Sequence, residues 1–171
     1  NYFQKIGIPE KELEKNILSS LQKIYYWCSA EGYIDKIKTS KDINSGLLDN
    51  IPPPRDRLKW LRNDNLEAMV EDFEKSGFRG PLNRYRAQEI DWQELKELDN
   101  LSIVPPSLFI GGEYDPVRRF IKDYDAYKNA GKFCEDFKGC YIIKDAGHWV
   151  QQEKPKKVNK IIKNFLKNLK N

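Results

Sequence analysis

Two short apolar segments near the end of the chain place the strongest constraint on its fold. Ser107–Gly111 and Cys140–Ile143 have the length and composition of buried β-strands. Between them, apolar residues recur at helical spacing from Val117 to Ala130, and an apolar stripe that should point inward predicts a further helix over Lys156–Leu169. That stripe consists of Val158, Ile161, Ile162, Phe165, Leu166 and Leu169. Strands that alternate with helices run parallel, so this part of the chain predicts an α/β fold.

The first hundred residues carry helical patterns and loops but no strand signal. The predicted helices are Pro9–Cys28, Asp64–Ser76, a short helix that begins at Pro81, and Asp91–Leu98. Asp64 and Glu67 have the spacing of a capping box, and Gly77 suits the end of the same helix. Residues 30–56 show no period and include three consecutive prolines, which predicts a long loop. The chain therefore divides into a helical part and an α/β part.

Composition excludes several classes of protein. The chain has 30 basic and 26 acidic residues, but seven lysines and no acid lie between Lys154 and Asn171. The excess of positive charge is confined to one end, and its lysines alternate with an apolar stripe as on a solvated helix face. We therefore expect no nucleic-acid partner. No apolar stretch approaches the length of a membrane span.

The cysteines and the methionine bear on compartment and on chain length. Three scattered cysteines without a Cys-x-x-Cys motif predict free thiols in a reducing compartment, hence a cytoplasmic protein. The single methionine is Met69, so we expect that Asn1 is not a translation start and that either an N-terminal part was removed or the chain is a piece of a longer protein. The Arg118-Arg119 pair is interpreted as surface charge. No sequence feature predicts a cofactor or an oligomeric state.

Two ionisable residues follow the predicted strands at the edge where parallel strands place ligands. Asp115 lies just after the first strand and His148 just after the second, one β-α-β step later. An acid followed by a histidine is the chain order of the last two triad residues in α/β-hydrolases. Each residue also has an ordinary structural explanation, because Asp115 before Pro116 suits a helix cap and a lone histidine is often structural. Together they favour a catalytic pair.

The sequence lacks a nucleophile that could complete such a pair. Neither Gly-x-Ser-x-Gly nor any other small-x-nucleophile-x-small elbow precedes Asp115. A metal site is not expected, since one histidine without a cysteine cluster cannot assemble a usual ligand set.

Three segments resemble the soluble epoxide hydrolases, a branch of the α/β-hydrolase fold, in order and in spacing. They are Tyr2-Phe3-Gln4 with Gly7, then Ser76–Asn83 with Tyr85 and Arg86, then Gly147-His148-Trp149 with Gln151–Pro155. The resemblance covers essentially the whole chain. It implies that residues 1–98 form a helical cap, or lid, and that residues 99–171 form the C-terminal strands and helices of the α/β-hydrolase core.

The resemblance also implies roles for individual residues. Tyr85 corresponds to one of two cap tyrosines that hydrogen-bond the epoxide oxygen, Asp115 to the charge-relay acid, and His148 to the base that activates water. Phe3 and Trp149 are expected to contact the substrate, although Trp149 also suits simple core packing. Arg84 departs from the family, which often has tryptophan there.

The remaining parts of the family's site are expected upstream of this sequence. The family's nucleophile is an aspartate that would precede Asn1, and the second cap tyrosine would lie about three residues before Tyr2. Alone, the 171 residues are expected to be inactive, with the missing N-terminal half of the core as their natural partner.

The predicted function is hydrolysis of a small-molecule epoxide to a vicinal diol through an aspartyl ester. A haloalkane or haloacid dehalogenase of the same fold, a serine esterase and a non-catalytic ligand-binding homologue remain as alternatives. The residue at the upstream elbow would distinguish the serine esterase and the binding protein, and the setting of Tyr85 favours the epoxide over the halide.

Overall fold

A computed structural model describes residues 2–37, 45–98, 101–120 and 123–169. The chain forms two compact units. The first, called the helical unit, comprises Asn1–Trp27 and Lys36–Asp99, and the second, called the sheet unit, comprises Cys28–Asp35 and Asn100–Asn171. The segment Cys28–Asp35 thus packs with the C-terminal part of the chain.

The helical unit contains five α-helices among its described residues. They are α1 (Ile8–Glu14), α2 (Ile17–Trp27), α4 (Asn63–Ser76), α5 (Arg79–Arg86) and α6 (Gln88–Glu94), followed by a 3₁₀ turn at Leu95–Leu98. Helix α2 packs against α4, and α1 packs against both α2 and α5. The buried residues of its main core are Leu13, Leu21, Leu48, Ile51, Phe78 and Leu82.

The sheet unit is built around two parallel strands. It contains α3 (Ala30–Ile34), β1 (Ser107–Gly112), β2 (Phe137–Ile143), α7 (Val150–Glu153) and α8 (Pro155–Asn168). Strand β1 pairs with β2 in the register Phe109–Cys140 to Gly112–Ile143, with an irregularity before Phe109. The predicted parallel pairing of the strands is confirmed, but the predicted burial of β2 is wrong, because Cys140, Tyr141 and Ile142 are exposed. The core of this unit consists of Ile143, Ala146, Val150 and Val158.

Polar side chains account for two errors in the predicted helical part. The single helix Pro9–Cys28 is interrupted, because Asn16 accepts a hydrogen bond from the Ser19 N–H at 2.8 Å and begins a new helix. The predicted capping box at Asp64 is wrong. The carboxylate of Asp64 pairs with Arg62 at 2.5 Å, and Arg62 itself is the N-cap residue. The end of this helix at Gly77, with a φ of 66°, is as predicted.

The predicted loop over residues 30–56 also contains structure. Helix α3 begins where the Ser29 side chain accepts a hydrogen bond from the Gly32 N–H at 3.2 Å. Residues 38–44 of this predicted loop lie outside the described part of the chain.

The predicted helix over Val117–Ala130 is wrong. Two 3₁₀ turns, Pro116–Arg119 and Ala126–Asn129, occupy its ends, and Asp123 has a positive φ of 60°. The side chains of Asp115 and Asp125 accept hydrogen bonds from backbone N–H groups two residues later, which favours short turns over a continuous helix. Ile121, on the predicted apolar face, lies outside the described residues.

The predicted C-terminal helix is confirmed as α8, but not all of its apolar stripe points inward. Val158 is buried, whereas Ile162, Leu166 and Leu169 are exposed. In the part of the chain that the structure describes, no helix has the length and apolarity needed to cross a membrane.

Candidate active site

Asp115 lies in the loop that follows β1 and is 5% exposed. Its two carboxylate oxygens have different partners. Oδ1 accepts a hydrogen bond from the Val117 N–H at 2.9 Å, and Oδ2 lies 3.0 Å from His148 Nδ1. One oxygen therefore caps the turn that follows, as the cap interpretation predicts, and the other faces the imidazole, while the catalytic role of Asp115 stays a prediction.

A close backbone approach places the His148 loop against the end of β1. A Cβ atom built on Gly112 would lie 2.0 Å from the Gly147 carbonyl oxygen and 2.5 Å from that of Ala146. The Tyr114 N–H also donates a hydrogen bond to the Ala146 carbonyl at 2.9 Å. Only glycine at position 112 leaves room for the loop at this distance.

Two further interactions hold the same loop from the other side. The His148 N–H donates to the Cys28 carbonyl at 2.8 Å, which ties the loop to the start of α3. The Glu153 carboxylate accepts hydrogen bonds from the N–H groups of Gly147 and Ala30, each at 3.0 Å. The backbone of His148 is therefore fixed independently of its side chain.

The charges around the pair suit a general base. Burial alone would raise the pKa of Asp115, but hydrogen bonds from His148, Tyr127 and the Val117 N–H together lower it below its usual value. An ionised carboxylate only accepts hydrogen bonds, so the Nδ1 atom of His148 carries the proton and Nε2 keeps the free electron pair. The hydrogen bond to Asp115 raises the pKa of His148, against the effect of partial burial.

Beside this pair, the sequence analysis missed Tyr127 and Asp125 and misinterpreted Arg118. The Tyr127 hydroxyl donates to Asp115 Oδ2, and the Tyr127 N–H donates to Asp125 Oδ1 at 3.0 Å. Arg118 binds Asp125 at 2.5 Å and is mostly buried, so its interpretation as surface charge is wrong. No sequence signal marks these residues, because all three lie in the segment that was predicted to be one helix.

The side chain of Trp149 lies beside the candidate base. Its ring meets the His148 ring edge to face, with 5.0 Å between the centroids. This contact favours one orientation of the imidazole. The predicted contact of Trp149 with a substrate stays a prediction.

Tyr85 lies on α5 in the helical unit and is 46% exposed. Its ring stacks on Phe3 with a centroid distance of 4.6 Å, and its carbonyl accepts a hydrogen bond from Gln4 Nε2 at 2.9 Å. Arg86 next to it donates to the Phe3 carbonyl at 2.9 Å and pairs with Glu10 at 2.8 Å. The N-terminal segment is thereby held against Tyr85. The role of Phe3 in substrate binding stays a prediction.

Other potential reactive groups near the pair are not suited to attack. Burial, together with the charges of Asp115 and Glu153, raises the pKa of the Cys28 thiol to about 12, so it stays protonated at neutral pH. Among the described residues, no group of three or more histidine, cysteine, aspartate or glutamate side chains could hold a metal ion.

Comparisons with known proteins agree with the predicted family. Epoxide hydrolase B of Mycobacterium tuberculosis is 30% identical over 91% of this chain and 49% of its own length. Bifunctional epoxide hydrolase 2 of Mus musculus is 34% identical over 96% of this chain and 28% of its own length. No family model matches the chain.

Solved structures show the same likeness. An epoxide hydrolase from an endophytic Streptomyces superposes with a TM-score of 0.85 at 30% identity, over 99% of this chain and 51% of that one. The fold class predicted from the sequence, an α/β-hydrolase core with a helical cap, is confirmed. The chain spans about half the length, or less, of the curated relatives that it matches.

Proposed function

Because the chain belongs to the epoxide hydrolase family, we propose that the complete protein adds water to an epoxide to give a vicinal diol. The observation that carries this proposal is the hydrogen-bonded pair of Asp115 and His148, in which a buried carboxylate holds Nδ1 at 3.0 Å. Each residue follows one of two adjacent parallel strands, which is where catalytic groups of open α/β sheets lie.

The pair would act in the second half of the reaction. An upstream carboxylate first attacks an epoxide carbon and forms an ester, while the ring C–O bond breaks to give an alkoxide that takes up a proton. His148 Nε2 then removes a proton from water, and the hydroxide adds to the ester carbonyl. Collapse of this adduct breaks the ester C–O bond, and the departing alkoxide takes the proton of the carboxylic acid, which releases the diol and restores the carboxylate. The imidazolium then returns its proton to the solvent, which replaces the proton that the first alkoxide took up. Asp115 stabilises the imidazolium that forms in between.

Tyr85 is proposed to assist the first half of the reaction. A phenol hydroxyl can donate a hydrogen bond to the epoxide oxygen as charge develops there. Its hydroxyl has no hydrogen-bond partner among the described residues, so it is available to a ligand. The stack on Phe3 and the hydrogen bond from Gln4 hold it in place.

The nucleophile is proposed to come from outside these 171 residues. No nucleophile elbow precedes Asp115, and the Cys28 thiol is protonated. The matched relatives are about twice as long as this chain or longer, which supports an upstream segment that supplies the attacking carboxylate.

The test separates the two halves of the cycle in the complete protein. His148→Gln keeps much of the shape of histidine but cannot deprotonate water, so the ester should accumulate after mixing with an epoxide. Intact-protein mass spectrometry would then show a gain equal to the mass of the epoxide. Tyr85→Phe should form the same ester about 10²–10³ times more slowly and should not accumulate it.

Wild-type protein and His148→Gln without epoxide serve as controls. Normal turnover by His148→Gln would contradict the role of His148. If neither variant nor wild type ever forms an adduct or a diol, the proposed function is wrong, and absence of turnover of haloalkanes and esters as well would favour a binding homologue. Release of halide from a haloalkane, without diol formation from epoxides, would establish the dehalogenase instead.

A further inference from the structure

Tyr127 approaches the same carboxylate oxygen as the histidine. Its hydroxyl donates to Asp115 Oδ2, which also faces His148 Nδ1 at 3.0 Å. The Tyr127 side chain is buried, and its ring meets Phe109 of β1 edge to face at 4.6 Å. A Cβ atom built on Gly111 would lie 2.5 Å from the Tyr127 ring. The ring is therefore enclosed by the strand that leads to Asp115.

A separate network holds Tyr127 in this position. Asp125 accepts a hydrogen bond from the Tyr127 N–H at 3.0 Å and binds the Arg118 guanidinium through both carboxylate oxygens, at 2.5 and 3.2 Å. Arg118 also donates to the Glu113 carbonyl at 3.0 Å and lies over the Tyr127 ring at 5.6 Å. None of these contacts involves His148, so the tyrosine is positioned whether or not the imidazole is charged.

We propose that Tyr127 is a positioning residue for Asp115, the relay acid. The Tyr127 hydroxyl fixes the orientation of the Asp115 carboxylate and weakens the electrostatic attraction between this carboxylate and the His148 imidazolium. This inference rests on the proposed function of the pair. The Val117 N–H binds Oδ1, so Asp115 has one donor on one oxygen and two on the other. A carboxylate that shares its charge with a phenol is a weaker partner for the imidazolium than one that does not.

The consequence concerns the proton affinity of the base. His148 must be neutral to accept a proton from water, and Asp115 raises its pKa. The Tyr127 hydroxyl stabilises part of the negative charge of Asp115, so the increase in the pKa of His148 is smaller than it would be without this hydrogen bond. A larger fraction of the imidazole is then neutral at physiological pH.

Other charged groups around the pair are the same in wild-type protein and in a Tyr127→Phe variant. His148 also faces Glu153, whose charge raises its pKa, and the protonated thiol of Cys28 lies nearby. Tyr127 faces Arg118 and Asp125 besides Asp115, and burial followed by the Asp115 hydrogen bond raises its own pKa, so it stays a donor. A Tyr127→Phe substitution removes one hydroxyl and leaves these groups in place.

The experiment is an NMR titration of the His148 imidazole in the complete protein, with its signal assigned by its absence in His148→Gln. Tyr127→Phe should raise the pKa of His148 by about half a unit or more. Tyr124→Phe is the matched control, since it removes a hydroxyl from an exposed tyrosine three residues away and should leave this pKa unchanged.

A second substitution should lower the pKa of His148, whereas Tyr127→Phe should raise it. Site-specific 3-fluorotyrosine at position 127 is a more acidic phenol and a stronger donor to Asp115, so it should lower the pKa of His148. This keeps the proposal testable if Tyr127→Phe does not fold. An unchanged or lowered pKa in folded Tyr127→Phe, or a raised pKa with 3-fluorotyrosine, would overturn the inference.

The pH profile of ester hydrolysis distinguishes positioning from a merely structural role. In Tyr127→Phe the acid limb should move to higher pH by the same amount as the NMR pKa, with the rate recovering at alkaline pH. An equal loss at every pH would contradict the inference. If the pKa moves as expected but wild-type protein makes no diol, the proposed function fails while the link between Tyr127 and His148 stands.

Discussion

Two buried carboxylates, one in each unit, have basic partners that differ in how readily they lose a proton. Glu10 in the helical unit pairs with the Arg86 guanidinium at 2.8 Å and accepts a hydrogen bond from the Gly7 N–H at 2.8 Å. Asp115 in the sheet unit faces the imidazole of His148. A guanidinium keeps its proton at every relevant pH, whereas an imidazole exchanges its proton near neutrality. The first pair can only hold structure together, and the second can also handle protons.

The neighbours of Glu10 on α1 extend this contrast. Glu12 accepts hydrogen bonds from the N–H groups of Leu47 and Leu48, at 3.1 and 2.8 Å, and Glu14 accepts one from Phe78 at 2.8 Å. Each carboxylate of this helix therefore anchors a different segment of the helical unit. In the sheet unit, Glu153 plays the same anchoring part for the His148 loop, while Asp115 is the carboxylate that contacts a titratable partner.

The largest expected difference between the two carboxylates is in catalysis by the complete protein. Asp115→Asn should slow ester hydrolysis by about 10⁴. An amide can hold the His148 imidazole in the tautomer with the proton on Nε2, which cannot act as the base, and it does not stabilise the imidazolium. The matched variant Glu10→Gln should leave the pH profile of hydrolysis unchanged. Stopped-flow measurement of ester decay over a range of pH tests both. An altered pH profile in Glu10→Gln would show that the two pairs are coupled.

Two glycines, one in each unit, allow the units to be compared by the effect of an alanine substitution on the free energy of unfolding. Gly112→Ala places a methyl group against the Gly147 carbonyl, so we expect the free energy of unfolding to fall by about 3 kcal/mol or more. Gly80 on α5 has open space around its Cβ position. Gly80→Ala should raise stability by about 0.5 kcal/mol, since alanine favours helix. Urea unfolding of the complete protein measures both, and equal effects would contradict the close approach at Gly112.

The ion pair of the helical unit should be detectable in thermal unfolding. Arg86→Met leaves Glu10 without its cationic partner and removes the hydrogen bond to the Phe3 carbonyl. We expect the Tm to fall by on the order of 5 °C. Arg84→Met on the same helix is the control, because Arg84 is exposed and its pair with Asp91 at 3.1 Å contributes little. A fall of the same size in Arg84→Met would argue against a special role of the Glu10 pair.

The smallest expected effects are those of pH on stability. The pKa shifts of Glu10 and His148 have opposite directions, so their contributions to stability change with pH in opposite ways. The hydrogen bond from Arg86 lowers the pKa of Glu10 to about 2. Its contribution is therefore present above the unfolded pKa of about 4.3 and is lost as the pH falls toward 2. The pKa of His148 is raised, so its contribution is present below about 6.5 and is lost as the pH rises through the folded value.

Matched variants separate these two contributions. The Tm difference between wild type and Glu10→Gln should shrink from pH 5 to pH 2, measured by calorimetry. The difference between wild type and His148→Gln should shrink from pH 6 to pH 8. A difference that grows in either window would mean that the direction of the corresponding pKa shift is wrong.

Much of the fold could be predicted because local patterns and tertiary structure agree. The strands at Ser107–Gly112 and Phe137–Ile143 contain the apolar segments from which they were predicted, although β2 is mostly exposed, and α4 and α8 have clear helical periods. Predictions failed where polar side chains redirected the backbone. Asn16 divides a helix of continuous apolar period, and Asp115 and Asp125 replace a predicted helix with short turns. Such hydrogen bonds compete with helix formation without altering the apolar period.

The sequence by itself determined the parallel strands and the acid–histidine order of Asp115 and His148, because these follow from residue types and spacing along the chain, and its resemblance to the soluble epoxide hydrolases indicated the family. Only the tertiary structure decided which atoms meet. It gave one oxygen of Asp115 to the Val117 N–H and the other to His148 and Tyr127, and it enclosed Gly112 under the His148 loop. These contacts join residues that turns and strand pairing bring together, and hydrogen bonds depend on distances of a few ångströms that no one-dimensional pattern encodes.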